Sequence, residues 1–265
     1  MAAALLAGLL LGFALRPVPA AAEEEPEVDR LEVAALLLRD GQYGRAAKVL
    51  AEIDPEAESV DQARYHTLYG LALLEEKDFD GAGDHFEAAL DAGAMQPQIV
   101  LRLAQARFEA GRYREVIAAL DRGGAPVDAL PAAHLLRAQA YWRAGDTAAA
   151  YAALETGLAR HPDEARLLEQ EILLLLEMKL FQAARAKAER FLRRAGASAD
   201  DFVLVAEATR RAGAADEAIV QLEEARLRFP RSERVAVALA RAYVEAGRPL
   251  AAAVVLQEAS RFHPR

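Results

Sequence analysis

The chain reads as an all-α solenoid of about seven helix-turn-helix units, and three observations carry that expectation. A turn series (Gly41, Lys77, Gly111, Gly145, Lys179, Gly213, Gly247) recurs with a first gap of 36 residues and then five gaps of 34. Seven positions before each turn residue stands a mostly small one: Ala34, Gly70, Ala104, Ala138, Ile172, Ala206 and Ala240. Five positions after it stands another: Ala46, Ala82, Val116, Ala150, Ala184, Ala218 and Ala252. No segment shows a convincing strand pattern.

In each unit the first helix runs up to the turn, where glycine takes a left-handed conformation cheaply and ends it. Two residues later come Tyr43, Phe79, Tyr113, Thr147, Phe181, Ala215 and Pro249. The second helix follows, with the small residue and, four positions on, Leu50, Phe86, Leu120, Leu154, Ala188, Leu222 and Leu256 on the same face. The two small series let paired helices approach, and the large residues fill the space around them. Pro162, Pro230 and Pro264 close the second helices of the fourth, sixth and seventh units, since proline cannot continue a helix. The first unit has a shifted Pro55, and the fifth departs most, with Ile172, Lys179 and Ala188.

This order at a 34-residue period resembles the tetratricopeptide repeat. Residues 131–162 carry it best, with Ala138, Tyr141, Gly145, Ala150, Leu154 and Pro162 in place. The resemblance covers 29–265 and implies a right-handed superhelix whose first helices line its concave side. It says little about which partner is bound, because the scaffold serves many.

Residues 1–22 stand apart from the array. Ala2 to Leu15 is a continuous apolar run, too short to span a bilayer comfortably, followed by Arg16, Pro17, Pro19 and Ala20 to Ala22. Such a stretch reads as a secretory signal cut after Ala22, with 23–28 an acidic segment. No Lys or Arg precedes the run, so a start further upstream or an uncleaved anchor stays open. The expected location is periplasmic or secreted, with the membrane touched only through an uncleaved signal. There is no cysteine, hence no disulfide, thiolate metal site or lipid-bearing cysteine.

Removing 1–22 leaves 31 basic and 41 acidic residues. The charge is uneven: Glu23 to Ala184 holds 16 basic and 30 acidic residues, Arg185 to Arg265 holds 15 and 11. An acidic body argues against nucleic acid as the main ligand, since phosphate neutralisation needs a basic stripe. The arginines of the second part suit either a solvated helix surface or an acidic partner, including the acidic end of another copy.

If the resemblance holds in three dimensions, the first five units form an apolar trough from Leu38, Leu74, Phe108, Trp142 and Leu176, three residues before each turn, and from Leu101 and Leu135, seven further back. A groove with aromatic anchors suits an amphipathic helix or an extended apolar peptide; the same stripe could instead be ordinary solenoid core. A tetratricopeptide subclass that grips terminal carboxylates with lysine and asparagine is a poor fit, for the chain has no asparagine. The seventh unit closes at His263-Pro264-Arg265. Its second helix would leave part of Leu250, Val254, Val255, Leu256 and Phe262 exposed, a possible docking end for another protein or another copy.

Catalytic constellations are not evident. His66 and His134 share one repeat position, His161 and His263 another, and His85 adjoins Phe86; none shows metal-ligand spacing. Gly123-Gly124 lacks the Lys-Ser or Lys-Thr of a phosphate loop. No cofactor is expected. The leading reading is a non-catalytic adaptor of the bacterial cell envelope for a protein or peptide partner, accessory to outer-membrane assembly, secretion or a TonB-type system. The alternative is a structural protein that self-associates through its C-terminal end.

Overall fold

The structure, a computed structural model, describes residues 29–193 and 196–262; the expected signal, the acidic segment, His263 and Pro264 lie outside them. The described residues form fourteen helices and no strand. The first four pairs are α1 (Arg30–Arg39) with α2 (Tyr43–Ala51), α3 (Gln62–Glu75) with α4 (Phe79–Asp91), α5 (Pro97–Glu109) with α6 (Tyr113–Asp128), and α7 (Pro131–Arg143) with α8 (Thr147–Arg160). The last three are α9 (Ala165–Glu177) with α10 (Phe181–Leu192), α11 (Ala199–Arg211) with α12 (Ala215–Arg228), and α13 (Glu233–Glu245) with α14 (Pro249–Ser260). The array is an α-solenoid of seven helix-turn-helix repeats.

Every turn is made the same way. All seven turn residues have positive φ, including Lys77 at 65° and Lys179 at 60°. The residue after each donates its N–H to the carbonyl five positions back, as Gln42 does to Leu37 and Arg248 to Tyr243. That is the closing bond of a Schellman motif, which satisfies carbonyls left free at the helix end. A side chain in this left-handed conformation costs about 1–2 kcal/mol, so the two lysines carry strain that the five glycines avoid.

Helix starts are equally local. Asp61, Asp78 and Asp146 accept from the N–H three residues on, Ser232 does the same, and Ser198 with Asp201 completes a capping box. Pro97, Pro131 and Pro249 occupy the first helical turn, where no N–H is needed. Gly124, at φ 57° and ψ −150°, breaks α6 before a short final turn that leads to Pro131.

Packing follows the three series. The small residues of both helices are buried throughout, and the large residue of the second helix is buried in the first six repeats. The first-helix small residue faces the large one: a Cβ added to Gly70 would meet the Phe86 ring at 2.8 Å. Consecutive helices also pack across repeats, giving a chain of linked clusters rather than a single core.

Candidate interaction face

Which side of the array is concave follows from its contacts. α1 touches α3, α5 touches α7, and α7, α9, α11 and α13 touch in succession, whereas even-numbered helices make no comparable contacts with one another. Neighbours converge on the inner side of a curved stack, so the odd helices line the inner face. Side-chain bridges between odd helices show which positions point there. Arg210 Nη1, three before its turn, donates to Glu245 at 3.1 Å, and Gln139 Nε2 donates to Gln170 Oε1 at 3.3 Å.

The trough residues occupy these inner positions with unequal exposure. Leu74 and Leu176 are buried in the packed clusters, while Leu38, Leu101, Phe108, Leu135 and Trp142 are half-buried. Phe108 meets Tyr113 edge-to-face at 5.5 Å, so it also pins its own turn. Trp142 and Leu135 pack at the edge of the cluster containing Leu154, Leu167 and Leu174. Half-buried apolar side chains therefore lie on α1, α5 and α7, and on α13 the same two positions hold Val237 and Val244, which are exposed.

Further along, the inner face becomes ionic. Arg210 and Arg211 both bond Glu207, at 2.8 and 2.7 Å. Burial alone would push the Glu207 carboxyl up, but hydrogen bonds from Arg211 and Arg210 outweigh it and hold it below the usual carboxylate range. Arg234 meets Asp200 at 2.6 Å between α13 and α11. One side of the solenoid thus carries half-buried apolar side chains in the third and fourth repeats, and ion pairs beside the exposed Val237 and Val244 in the sixth and seventh.

At the C-terminal end Leu250, Val254, Leu256 and Phe262 are exposed, whereas Val255 turns inward against the α13 cluster. A notch of about 360 Å³ opens there, lined by Leu227, Pro230, Val255 and Phe262 among others.

Several buried or half-buried polar groups carry no motif in the sequence. His66 and His85 come together, Nδ1 to Nδ1 at 2.9 Å, with Tyr69 over His85 at a centroid distance of 4.2 Å. Burial pushes both imidazoles below their ordinary value. Arg107 is buried and pairs with Glu87 at 2.8 Å, Asp84 at 2.9 Å and Glu115 at 3.1 Å. Glu171 is buried and meets Lys187 at 2.5 Å. Burial also pushes the nearby Tyr151 phenol up to about 12, with its hydrogen bond to Glu155 acting the same way. The available signal was register: Arg107 stands where other repeats have Leu73 and Leu175, and Glu171 where they have Leu103, Val205 and Leu239. Each group is spent on a neighbour inside the array. Among the described residues no group of three or more His, Asp or Glu could hold a metal ion, and no helix is long and apolar enough to cross a membrane.

Comparison with known proteins agrees with this architecture. The tetratricopeptide repeat family model matches residues 73–140 and 209–265. A tetratricopeptide repeat protein from Parabacteroides merdae superposes with a TM-score of 0.64 at 14% identity, over 88% of this chain and 92% of that one. PilW, a widely conserved type IV pilus biogenesis factor, gives 0.60 at 18% identity, over 78% and 94%. PilF of Pseudomonas aeruginosa gives 0.56 at 16%, over 78% and 93%. No curated protein matches the chain. At these identities the likeness is one of fold. The chain is an α-solenoid, two stretches of which match tetratricopeptide repeats.

Proposed function

We propose that all seven repeats are of the tetratricopeptide type and form a non-catalytic scaffold that holds a helix or extended apolar peptide of a protein partner against α5 and α7. The observation that carries this is the half-buried inner stripe of Leu101, Phe108, Leu135 and Trp142. These side chains are fixed by packing yet keep apolar surface open on the concave side, the arrangement of a preorganised groove. Covering the open minority of the Trp142 surface contributes up to about 1 kcal/mol. The acidic body disfavours nucleic acid.

The setting we assign is the bacterial cell envelope, most simply the periplasm. Support comes from the N-terminal apolar run with its small-residue end, and from the fold shared with PilF and with the pilus biogenesis factor PilW. A role as an accessory of an envelope machine follows the same reasoning.

The test is affinity capture from envelope extract with the chain and with a Leu135→Glu, Trp142→Glu variant of matching thermal stability. Leu176 is left intact, because a carboxylate at that buried position would unfold its repeat. A protein captured by the first and lost from the second is the expected result. Capture unaffected by the variant would overturn the assignment of the site.

A further inference from the structure

The two ends of the array expose opposite halves of one seam. Five residues before each turn, the first helix carries Leu36, Ala72, Ala106, Ala140, Leu174, Ala208 and Ala242. The last six of these are at most 6% exposed, and Leu36 is 42% exposed. The large residue of the second helix behaves as its mirror image. Leu50, Phe86, Leu120, Leu154, Ala188 and Leu222 are at most 3% exposed, and Leu256 is 46% exposed. Between consecutive repeats these two positions belong to the same layer, as where Phe86, Ala106, Leu120 and Ala140 share one cluster. Among the described residues no second helix precedes Leu36 and no first helix follows Leu256. Val237 and Val244 of α13 are exposed for the same reason, at positions where Leu135 and Trp142 are half-buried.

The two ends differ in charge. Residues 29–61 carry four basic and eight acidic side chains, residues 231–262 five basic and three acidic. The N-terminal end also holds a notch of about 740 Å³ with Val33, Val49, Ile53 and Val60 on its lining and Asp29, Glu52 and Asp54 around them. At the other end Leu250, Val254 and Phe262 are exposed, in the same segment of the chain as Arg248 and Arg261.

We propose that the chain associates head to tail with a second copy. The α13–α14 end of one copy receives α1 of the next, Leu256 covers Leu36, and the repeat seam continues from molecule to molecule. Such a contact uses two different surfaces, so it does not close on itself in a dimer and extends into an open string of copies. It leaves the inner faces of α5 and α7 free, so this proposal and the groove reading stand or fall separately.

The experiment is sedimentation of the full chain from about 1 µM to about 500 µM, the range in which contacts of modest area dissociate. It is run beside Leu36→Glu, Leu256→Glu and their mixture. Both positions are exposed, so the folds should survive, which circular dichroism checks; if either variant melts early, Leu36→Ala and Leu256→Ala replace the pair. The expected results are a mass that rises with concentration for the natural chain and falls back with added salt, since the ends carry opposite charge. Each variant alone should be monomeric, and the mixture should form a one-to-one pair and nothing larger, because each variant keeps one intact end. A natural chain that stays monomeric throughout overturns the proposal. So does a folded single variant that still assembles, or a mixture that fails to pair.

Discussion

The fourth and fifth repeats fill the same positions in opposite ways. In the fourth, Ala138 on α7 faces Leu154 on α8; in the fifth, Ile172 on α9 faces Ala188 on α10, and all four are buried. The small and large partners have changed helices while the space between them stays filled. The exchange extends to charge. Arg137 of the fourth repeat pairs outward with Asp121 and Asp128 of α6, each at 3.0 Å, and its counterpart Glu171 pairs with Lys187 within its own repeat. At the turns Gly145 is matched by Lys179. The lesson is that the scaffold constrains the summed volume and paired charge of facing positions, not the residue at each one.

Breaking the fifth repeat's volume balance should have the largest effect. Ile172→Ala, which leaves Ala facing Ala, should cost about 3 kcal/mol by opening a cavity. Ala188→Leu against an intact Ile172 should cost about 2 kcal/mol by overpacking. Urea melts of each variant check both values.

Next comes the charge arrangement. Lys187→Ala leaves the Glu171 carboxylate buried with its cation gone and should cost about 2–3 kcal/mol. Replacing both by apolar residues, Glu171→Leu with Lys187→Met, should restore most of that loss, because four other repeats hold Val33, Leu103, Val205 and Leu239 at the first position. A double variant as unstable as the single one would show that the pair is not what Lys187 serves.

The turns give a smaller effect of opposite sign in the two repeats. Lys179→Gly should stabilise by about 0.5–1 kcal/mol, the relief of left-handed strain less the extra entropy of glycine in the unfolded chain, and Gly145→Lys should lose a similar amount. Thermal melts of the two variants measure this directly.

The subtlest contrast is with pH. His134 of the fourth repeat is buried, its Nε2–H donates to the Asp128 carbonyl at 2.9 Å, and burial pushes its pKa down; the fifth repeat has Leu168 at that position. The His66–His85 pair adds the same sensitivity to the second repeat. An imidazole with a lowered pKa binds fewer protons folded than unfolded. Its stabilising contribution is therefore full above the unfolded value of about 6.5 and is lost as pH falls below it. Hydrogen exchange compared at pH 7 and pH 5 should show α3, α4 and α7 losing protection while α9 and α10 change little.

Much of this was legible in the sequence. The period, the turn residues, the two small series and the helical character all follow from local chemistry repeated seven times, and repetition lets weak local signals add. Taken singly, Ile172 and Ala188 depart from the repeat pattern; only the contact between the two helices shows that one compensates the other. The trough was legible as a stripe but not in its depth. Leu74 and Leu176 share the register of Phe108 and Trp142 yet are buried, because how far a neighbouring helix covers a position depends on side chains from the next repeat. The His66–His85 pair lies nineteen residues apart on two helices, a distance no single-helix periodicity reports.

The measurement that tests the shared packing rule most directly is the double-mutant cycle Ile172→Ala, Ala188→Leu. That variant gives the fifth repeat the Ala–Leu arrangement of the fourth. Its stability should lie within about 1 kcal/mol of the natural chain, hence a coupling of several kcal/mol between two substitutions that are each costly alone. Additive losses would contradict it, and would mean that each repeat is packed by its own rule.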